Sequence, residues 1–197
     1  MCVILLSGPG VATSKKSAGK GGNGRAAAAA RSAMAVHRSS TPGERPWTFA
    51  IRPVRRGDLP DIIAIDAAVT GIEKRPYWNS IYRRYGASGN ADRQFLVAEE
   101  DGRVAGFVIG EVRDWEFGSP PCGWVFGIDV RPEARQRGVG ARLLDAISAG
   151  FRRAGVTKVR TMLARDNTLI LSFFRSQGMM AGPFIPLEMD IGQGARR

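Results

Sequence analysis

Residues 130–140 have the sequence Val-Arg-Pro-Glu-Ala-Arg-Gln-Arg-Gly-Val-Gly. The apolar run before them, 124–130, is predicted to be a strand, and the amphipathic segment after them, 139–154, a helix. Gly138 and Gly140 lack side chains, so a ligand can approach the backbone closely there. The first amides of a helix have no intrahelical partners, and the helix dipole adds positive potential. The stretch therefore predicts a pyrophosphate site.

Periodicity on either side of this stretch predicts the remaining elements. Further strands are expected over 47–52, 94–99, 103–112 and 156–163, and a closing strand at Leu187, Met189 and Ile191. Helices are expected from Asp58, as N-cap, from about residue 76 to Gly86, and from the 166–167 cap to Gln177. The order β-α-α-β-β-β-α-β-α-β predicts an α/β fold of three layers, a mixed sheet with helices on its faces.

Two segments resemble the signatures of the GNAT acetyltransferase family. Arg135-x-x-Gly138-x-Gly140 is similar to that family's acetyl-CoA pyrophosphate loop, and Asn167 followed by Phe173-Phe174 is similar to its second signature. The resemblance covers residues 47–191 and implies a GNAT-type fold with acetyl-CoA as cosubstrate. The alternative for the loop is an ordinary strand-to-helix turn with solvated arginines.

The resemblance also implies which residues contact acetyl-CoA. Ile128 and Val130 are expected to offer backbone groups to the pantetheine arm, and Asn167 to bond it further along. Asn167 is also predicted to cap its helix, and the two roles are compatible. The full set implied for the cosubstrate is Ile128, Val130, Arg135, Gln136, Arg137, Gly138, Val139, Gly140, Ala141, Asn167 and Phe174.

The catalytic groups are less clearly marked. The position where the family often has a Tyr acid is Phe174, and its usual Glu positions are Trp124 and Met162. The residues considered as proton-transfer groups instead are Asp129, Glu111, Glu116, Tyr77 and Tyr82, of which we retain Asp129, Glu111 and Tyr77. The alternatives are a backbone-satisfied carboxylate at a bulge for Asp129, a solvated strand-edge charge for Glu111, and a core position for Tyr77.

The resulting functional hypothesis is an acetyl-CoA-dependent N-acetyltransferase that transfers directly, in a ternary complex, to an unidentified amine of a small molecule or protein. The alternative is a non-catalytic acyl-CoA-binding GNAT-fold sensor or interaction module. Segments 71–86 and 115–123 are expected to select the acceptor. Their aromatic residues and basic flanks favour an acceptor with an apolar portion and an anionic group.

Composition limits the rest of the chain. Residues 1–46 are rich in Gly, Ala and Ser and predict a disordered basic tail, followed by one domain over 47–192 and a short tail over 193–197. The tail over 1–46 holds seven of the 29 basic side chains and one of the 18 acidic ones, so it carries about half of the net charge of +11. Translation could begin at Met1 or at Met34.

The same composition sets expectations for partners. The tail over 1–46 lacks interleaved aromatic residues, so nucleic-acid binding is expected to be nonspecific at most. No apolar run has membrane-spanning length, and a cytoplasmic location is expected. One His and two Cys are too few for a protein-built zinc site. A homodimer is compatible with the sequence.

Overall fold

The structure, a computed structural model, describes residues 48–86 and 92–191. The expectations for the tail over 1–46, the start at Met34, residue Trp47 and the tail over 193–197 lie outside these residues. None of the helices in the described ranges combines the length and apolarity that crossing a membrane requires.

The predicted order of elements is found up to the last helix. The strands are β1 (Ala50–Pro53), β2 (Arg93–Glu100), β3 (Arg103–Arg113), β4 (Cys122–Val130) and β5 (Val159–Arg160). The helices are α1 (Leu59–Thr70), α2 (Arg75–Ile81), α3 (Val139–Arg153) and α4 (Thr168–Ser176). A wider turn of π-helix, Tyr82–Gly86, extends α2 to the glycine that the sequence predicts as its end.

The five strands form one mixed sheet in the order β1-β2-β3-β4-β5. Neighbouring strands are antiparallel except β4 and β5, which are parallel. The predicted hairpin at Asp101-Gly102 is confirmed, because both residues have the positive φ (49° and 75°) that a tight two-residue turn demands. The α/β prediction of a mixed sheet covered by helices on its faces is therefore confirmed.

Two apolar clusters hold helices against opposite faces of the sheet. On one face, α3 and α4 pack against β4 residues such as Val125 and Ile128. On the other, α1 and α2 enclose Trp78, whose indole is fully buried between the β2 and β3 phenylalanines. The burial of each such side chain contributes about 1.5–3 kcal/mol to the free energy of unfolding. Core packing alone therefore holds the helices on both faces of the sheet.

Helix α3 approaches the sheet very closely at one end. The ring of Phe151 lies over Gly110 and Gly123, where an added Cβ would come within 2.9 Å and 2.3 Å of it. No other residue type fits beneath the ring at either strand position. These two glycines therefore set the spacing between α3 and the strands that lead into the 130–140 loop.

Asp58 occupies the N-cap position of α1, as predicted, but its side chain makes no capping hydrogen bond. Asp58 precedes the helix, but its carboxylate accepts hydrogen bonds from the guanidinium of Arg52 (2.7 and 2.8 Å) and from the amide of Arg55 (2.6 Å). A charged donor outcompetes the helix amides because charge-assisted hydrogen bonds are the stronger ones. Asp58 thus links β1 to the start of α1.

The strand predicted over 156–163 is much shorter, and the closing strand is absent from the described residues. Only Val159 and Arg160 pair with β4, and Leu187, Met189 and Ile191 are 92%, 80% and 88% exposed. The physical reason is that a further strand needs a partner edge. A two-residue β5 offers almost none, and Pro183 and Pro186 interrupt the approach to it.

The exposure of the last segment predicts a sharp contrast between two identical substitutions. Leu143→Ala, at a fully buried α3 position, is expected to lower the free energy of unfolding by about 2–5 kcal/mol. Leu187→Ala is expected to change it by less than about 0.5 kcal/mol. Urea denaturation of both variants measures this. A cost above about 1 kcal/mol at Leu187 would mean that the segment packs as a strand after all.

Candidate active site

The loop before α3 has the backbone shape of an anion cradle. Gln136 and Gly138 both have left-handed φ values, 61° and 80°, and the chain enters the helix directly after them. The amide of Arg142 donates to the carbonyl of Gly138 (3.1 Å), so the amides of Val139, Gly140 and Ala141 precede the first intrahelical donor. Successive N–H groups around left-handed residues form concave anion sites.

The two glycines of the loop are required for different reasons. Gly138 has open space around its Cα but a φ that strains any L residue. Gly140 has ordinary helical geometry, and a Cβ there would lie 3.2 Å from the ring of Phe173. Gly140 therefore lets α4 pack against α3, a role that the sequence analysis did not assign to it.

The arginine side chains of the loop bind protein groups. Arg135 Nε donates to the carbonyl of Val130 (3.0 Å), and its guanidinium lies 3.7 Å from the Asp129 carboxylate. Arg137 forms an ion pair with Glu100, at the end of β2. Both arginines brace the loop against the sheet. Arg135 and Arg137, which were expected to contact the pyrophosphate, are thus bound to protein groups, and the backbone amides are the groups left for an anion.

Strand β4 separates from β5 after only two paired residues. Gly123 and Trp124 pair with Val159 and Arg160, and no pairing with β5 follows from Val125 to Val130. This leaves a gap in the pairing of β4 with β5, which begins after Trp124 and extends to the loop before α3. The amide of Val130 donates to Asp129 (2.7 Å) and its carbonyl accepts from Arg135, so the predicted contact with a pantetheine arm rests on Ile128.

The second signature lies on α4, across this gap. The Asn167 side chain accepts a hydrogen bond from the amide of Ile170 (3.1 Å), which confirms the predicted N-cap. Phe174 is 2% exposed and packs against Phe173, with ring centroids 5.1 Å apart. A buried phenyl ring carries no exchangeable proton, so this position supplies packing and no acid.

Asp129 is a buried carboxylate at the loop end of β4. Burial raises the pKa of its carboxyl to about 7, although the amide of Val130 and the charge of Arg135 both lower it. The bulge in β4 lies at Phe126, the residue left unmatched between the Ile109–Gly127 and Gly110–Val125 pairs. Asp129 is therefore satisfied by its neighbours within regular pairing, several residues from the bulge and from the point where β4 and β5 separate.

Glu111 lies at the other end, beside that point. Its carboxylate accepts hydrogen bonds from the hydroxyl of Tyr85 (2.8 Å) and from Nε of Arg113 (3.0 Å), and it pairs across the strands with Trp124. Burial, followed by the bond to Glu111, raises the pKa of the Tyr85 hydroxyl. Tyr85 packs edge-on against Phe126. Glu111 is thus a held, half-buried carboxylate next to the position where the family's Glu was expected.

Tyr77 belongs to the edge of a core. Its ring packs edge-on against Trp78 at 5.2 Å, and the ammonium of Lys74 lies 5.9 Å from its centroid. Tyr77 is half-buried beside the α1–α2 cluster. The structure therefore places Glu111 opposite Trp124, the last β4 residue that pairs with β5, and places Tyr77 beside the α1–α2 core.

A cleft of about 1000 Å³ adjoins β5 and is also lined by residues of α3 and α4. Its walls include Trp124, Thr161 and Met162 near the strand ends, Phe117 from the β3–β4 loop and Phe184 from the segment after α4. The backbone of the β3–β4 loop is strained, because Trp115 and Phe117 both have left-handed φ values (50° and 54°) while their side chains are mostly exposed. Strain of this kind clusters at functional sites.

Sequence reasoning missed the partners of Glu111. The helical stripe marks Tyr85 as apolar packing, and nothing local indicates that its hydroxyl reaches a strand residue 26 positions later. The Trp124–Glu111 pairing depends on the bulge at Phe126, which shifts the register of β4 by one residue. The Asp101-Gly102 turn fixes the register of β2 against β3 only, so no available signal located the bulge.

Comparison with families and curated proteins gives a consistent result. A family model described as the acetyltransferase (GNAT) family matches residues 61–179. An L-2,4-diaminobutyric acid acetyltransferase of Nocardia farcinica is 31% identical, over 72% of this chain and 73% of the relative. An uncharacterized N-acetyltransferase of Methanocaldococcus jannaschii is 26% identical, over 72% and 86% respectively.

Solved structures agree on the fold. An aminoglycoside N-acetyltransferase in complex with CoA superposes with a TM-score of 0.66 at 19% identity, covering 77% of this chain and 99% of the other. At that identity the likeness concerns the architecture alone.

The buried carboxyl of Asp129 predicts a pH-dependent stability. Between about pH 4 and 7 the folded protein retains a proton that the unfolded chain releases, so the free energy of unfolding falls as the pH rises, by at most about 4 kcal/mol. Asp129→Asn is expected to remove this slope. Urea denaturation at several pH values measures it, with exposed Asp114→Asn as the control. If the free energy of unfolding changed equally with pH in the wild type and in Asp129→Asn, the raised pKa assigned to Asp129 would be contradicted.

Proposed function

The chain belongs to the GNAT acetyltransferase family, and on that premise we propose that it transfers an acetyl group from acetyl-CoA directly to a primary amine of a small molecule. The observation that carries the proposal is the combination of the left-handed loop at Gln136 and Gly138 with the unpaired side of β4. The loop binds an anion, and the unpaired side of β4 binds an extended arm. Together they fit a ligand with a pyrophosphate at one end and a reactive group at the other.

The residues of this chain fit the cosubstrate as follows. The amides of Val139, Gly140 and Ala141 would bind the pyrophosphate, and the backbone of Ile128 would bind the pantetheine arm. From Val130 to Val125 the strand advances roughly 17 Å, which brings the far end of the arm to the bulge at Phe126. The cosubstrate supplies an activated thioester there, beside the pair Trp124–Glu111.

We assign proton transfer to Glu111. An amine must be neutral to attack a thioester, so a base has to accept its proton. Glu111 lies where the arm ends, and the bonds from Tyr85 and Arg113 hold its carboxylate in one orientation. Asp129 lies at the opposite end of the arm, on the pyrophosphate side. The proton taken by Glu111 is finally returned to the departing thiolate, and positioning of the reactants contributes the remainder of the rate.

One relative supports an amine acceptor of low molecular weight. The Nocardia farcinica relative is an acetyltransferase of a diamino acid, as its name states. That acceptor carries two primary amines. Screening such amines for release of CoA thiol, detected with a chromogenic disulfide, tests the proposal. No release above the rate without acceptor, from folded protein that binds acetyl-CoA, would support the non-catalytic alternative.

Two glycines with the same strain isolate the role of the loop in binding. Gly138 and Gly155 both have φ of 80° and nothing within 4 Å of an added Cβ, so alanine at either costs roughly 1–2 kcal/mol of stability. Only Gly138→Ala is expected to weaken acetyl-CoA binding, by about tenfold or more, because it turns the amides of the cradle. Calorimetric titration measures this. Equal affinities for the two variants would refute the pyrophosphate assignment.

The three candidate bases predict different variants to be inactive. Glu111→Gln is expected to lower kcat by about 10²–10⁴-fold with little change in acetyl-CoA affinity, because it removes only the proton acceptor. Tyr85→Phe keeps the ring against Phe126 but releases the carboxylate, and should give a smaller loss. Asp129→Asn and Tyr77→Phe are expected to keep kcat within a few-fold. Steady-state kinetics decide. A severe loss in Asp129→Asn with full activity in Glu111→Gln would reverse the assignment.

A further inference from the structure

Arg160 is a half-buried cation that has no carboxylate partner within residues 48–86 and 92–191. At the end of β5 its guanidinium donates to the hydroxyl of Ser119 (2.8 Å), contacts the sulfur of Cys122 (3.4 Å) and lies 4.6 Å from the ring centroid of Phe184. These contacts fix the guanidinium in place without neutralising its charge.

The other half-buried arginines in the described residues each have a carboxylate partner. Arg113, in the same cleft, is bound by Glu111 and reaches Glu116 at 3.8 Å, and Arg52, at the opposite edge of the sheet, is bound by Asp58 and Glu99. Withdrawing a charge from water without an opposite charge is costly. At Arg160 three protein groups hold the guanidinium in place without supplying a negative charge. A bound anionic ligand would supply that charge.

Two buried polar atoms beside Arg160 also lack partners. The hydroxyl of Thr161, the next residue, and the indole N–H of Trp124, which pairs with Arg160 across the strands, have no hydrogen-bond partner among the described residues. Such groups are rarely left unsatisfied. Both residues line the cleft, where an anionic ligand would supply acceptors that these two donors lack.

The charged residues that line the cleft also favour an anionic ligand. Its walls contain the five cations Arg113, Arg152, Lys158, Arg160 and Arg175. The acids in the same walls are Glu116 and Asp145. A polycationic acceptor such as an aminoglycoside would be repelled from such a surface, whereas an acceptor with a carboxylate would be attracted.

We propose that Arg160, with Thr161 and Trp124, binds a carboxylate of the acceptor, so that the substrate class is an amino acid with a primary amine to be acetylated. The inference rests on the proposed function. Glu111 and Arg160 lie on strands either side of Trp124, roughly 10 Å apart at the backbone. A short diamino acid lying across Trp124 would have its amine directed to Glu111 and its carboxylate directed to Arg160.

The decisive experiment compares two acceptors that differ only by the carboxylate. L-2,4-Diaminobutyrate and 1,3-diaminopropane have the same carbon chain between their amines, and sisomicin represents aminoglycosides. With wild-type protein, kcat/KM is expected to be about tenfold or more higher for diaminobutyrate, since charge-assisted hydrogen bonds are lost with the carboxylate. Equal values for diaminobutyrate and diaminopropane, or a preference for sisomicin, would overturn the carboxylate site while leaving the proposed function intact.

Variants assign the effect to Arg160. Arg160→Gln is expected to raise KM for diaminobutyrate by about tenfold or more with kcat little changed, and to leave diaminopropane unaffected. Arg160→Lys should restore part of the affinity, and Arg103→Gln, an exposed arginine outside the cleft, should behave as wild type. Equal losses for both acceptors in Arg160→Gln would overturn the inference. No CoA release with any acceptor would overturn the proposed function together with it.

Discussion

The short pairing of β4 with β5 is the constraint on which the site depends. β4 is bonded to β3 along its whole length, but to β5 only at Gly123 and Trp124. Two strands paired in full register would leave no space between them. Because the strands separate, one side of β4 has no strand partner from the bulge to the loop before α3, and the proposed contacts of the cosubstrate lie along that side.

The packing around α3 keeps the opening in shape. Phe151 rests on Gly110 and Gly123 at one end of the helix, while Gly140 admits Phe173 at the other. Arg137 and Glu100 tie the intervening loop to β2. Packing therefore holds both ends of α3 against the elements that border the gap. The same packing, together with the Arg137–Glu100 ion pair, positions the loop before the helix.

Local sequence signals predicted the fold well and the site unevenly. Hydrophobic periodicity and glycine stops located α3, and the Asp101-Gly102 turn located the β2–β3 hairpin, because these depend on neighbours in the chain. The prediction of a closing strand was wrong because a strand also needs the free edge of another strand to pair with. Likewise, the loop was readable as a motif, whereas the bonds of Glu111 to Tyr85 and Arg113 depend on a bulge and on contacts distant in sequence.

The bracing of the loop arginines has a consequence for how the site would respond to ionic strength. Mobile side-chain cations on a surface lose much of their attraction for phosphates as salt rises, since counterions screen them. In this loop Arg135 and Arg137 are engaged with Val130, Asp129 and Glu100, and under the proposed function the anion would be bound by fixed peptide dipoles. We expect the affinity for acetyl-CoA to vary little between buffers of low and of physiological ionic strength, and the binding geometry to be the same in both.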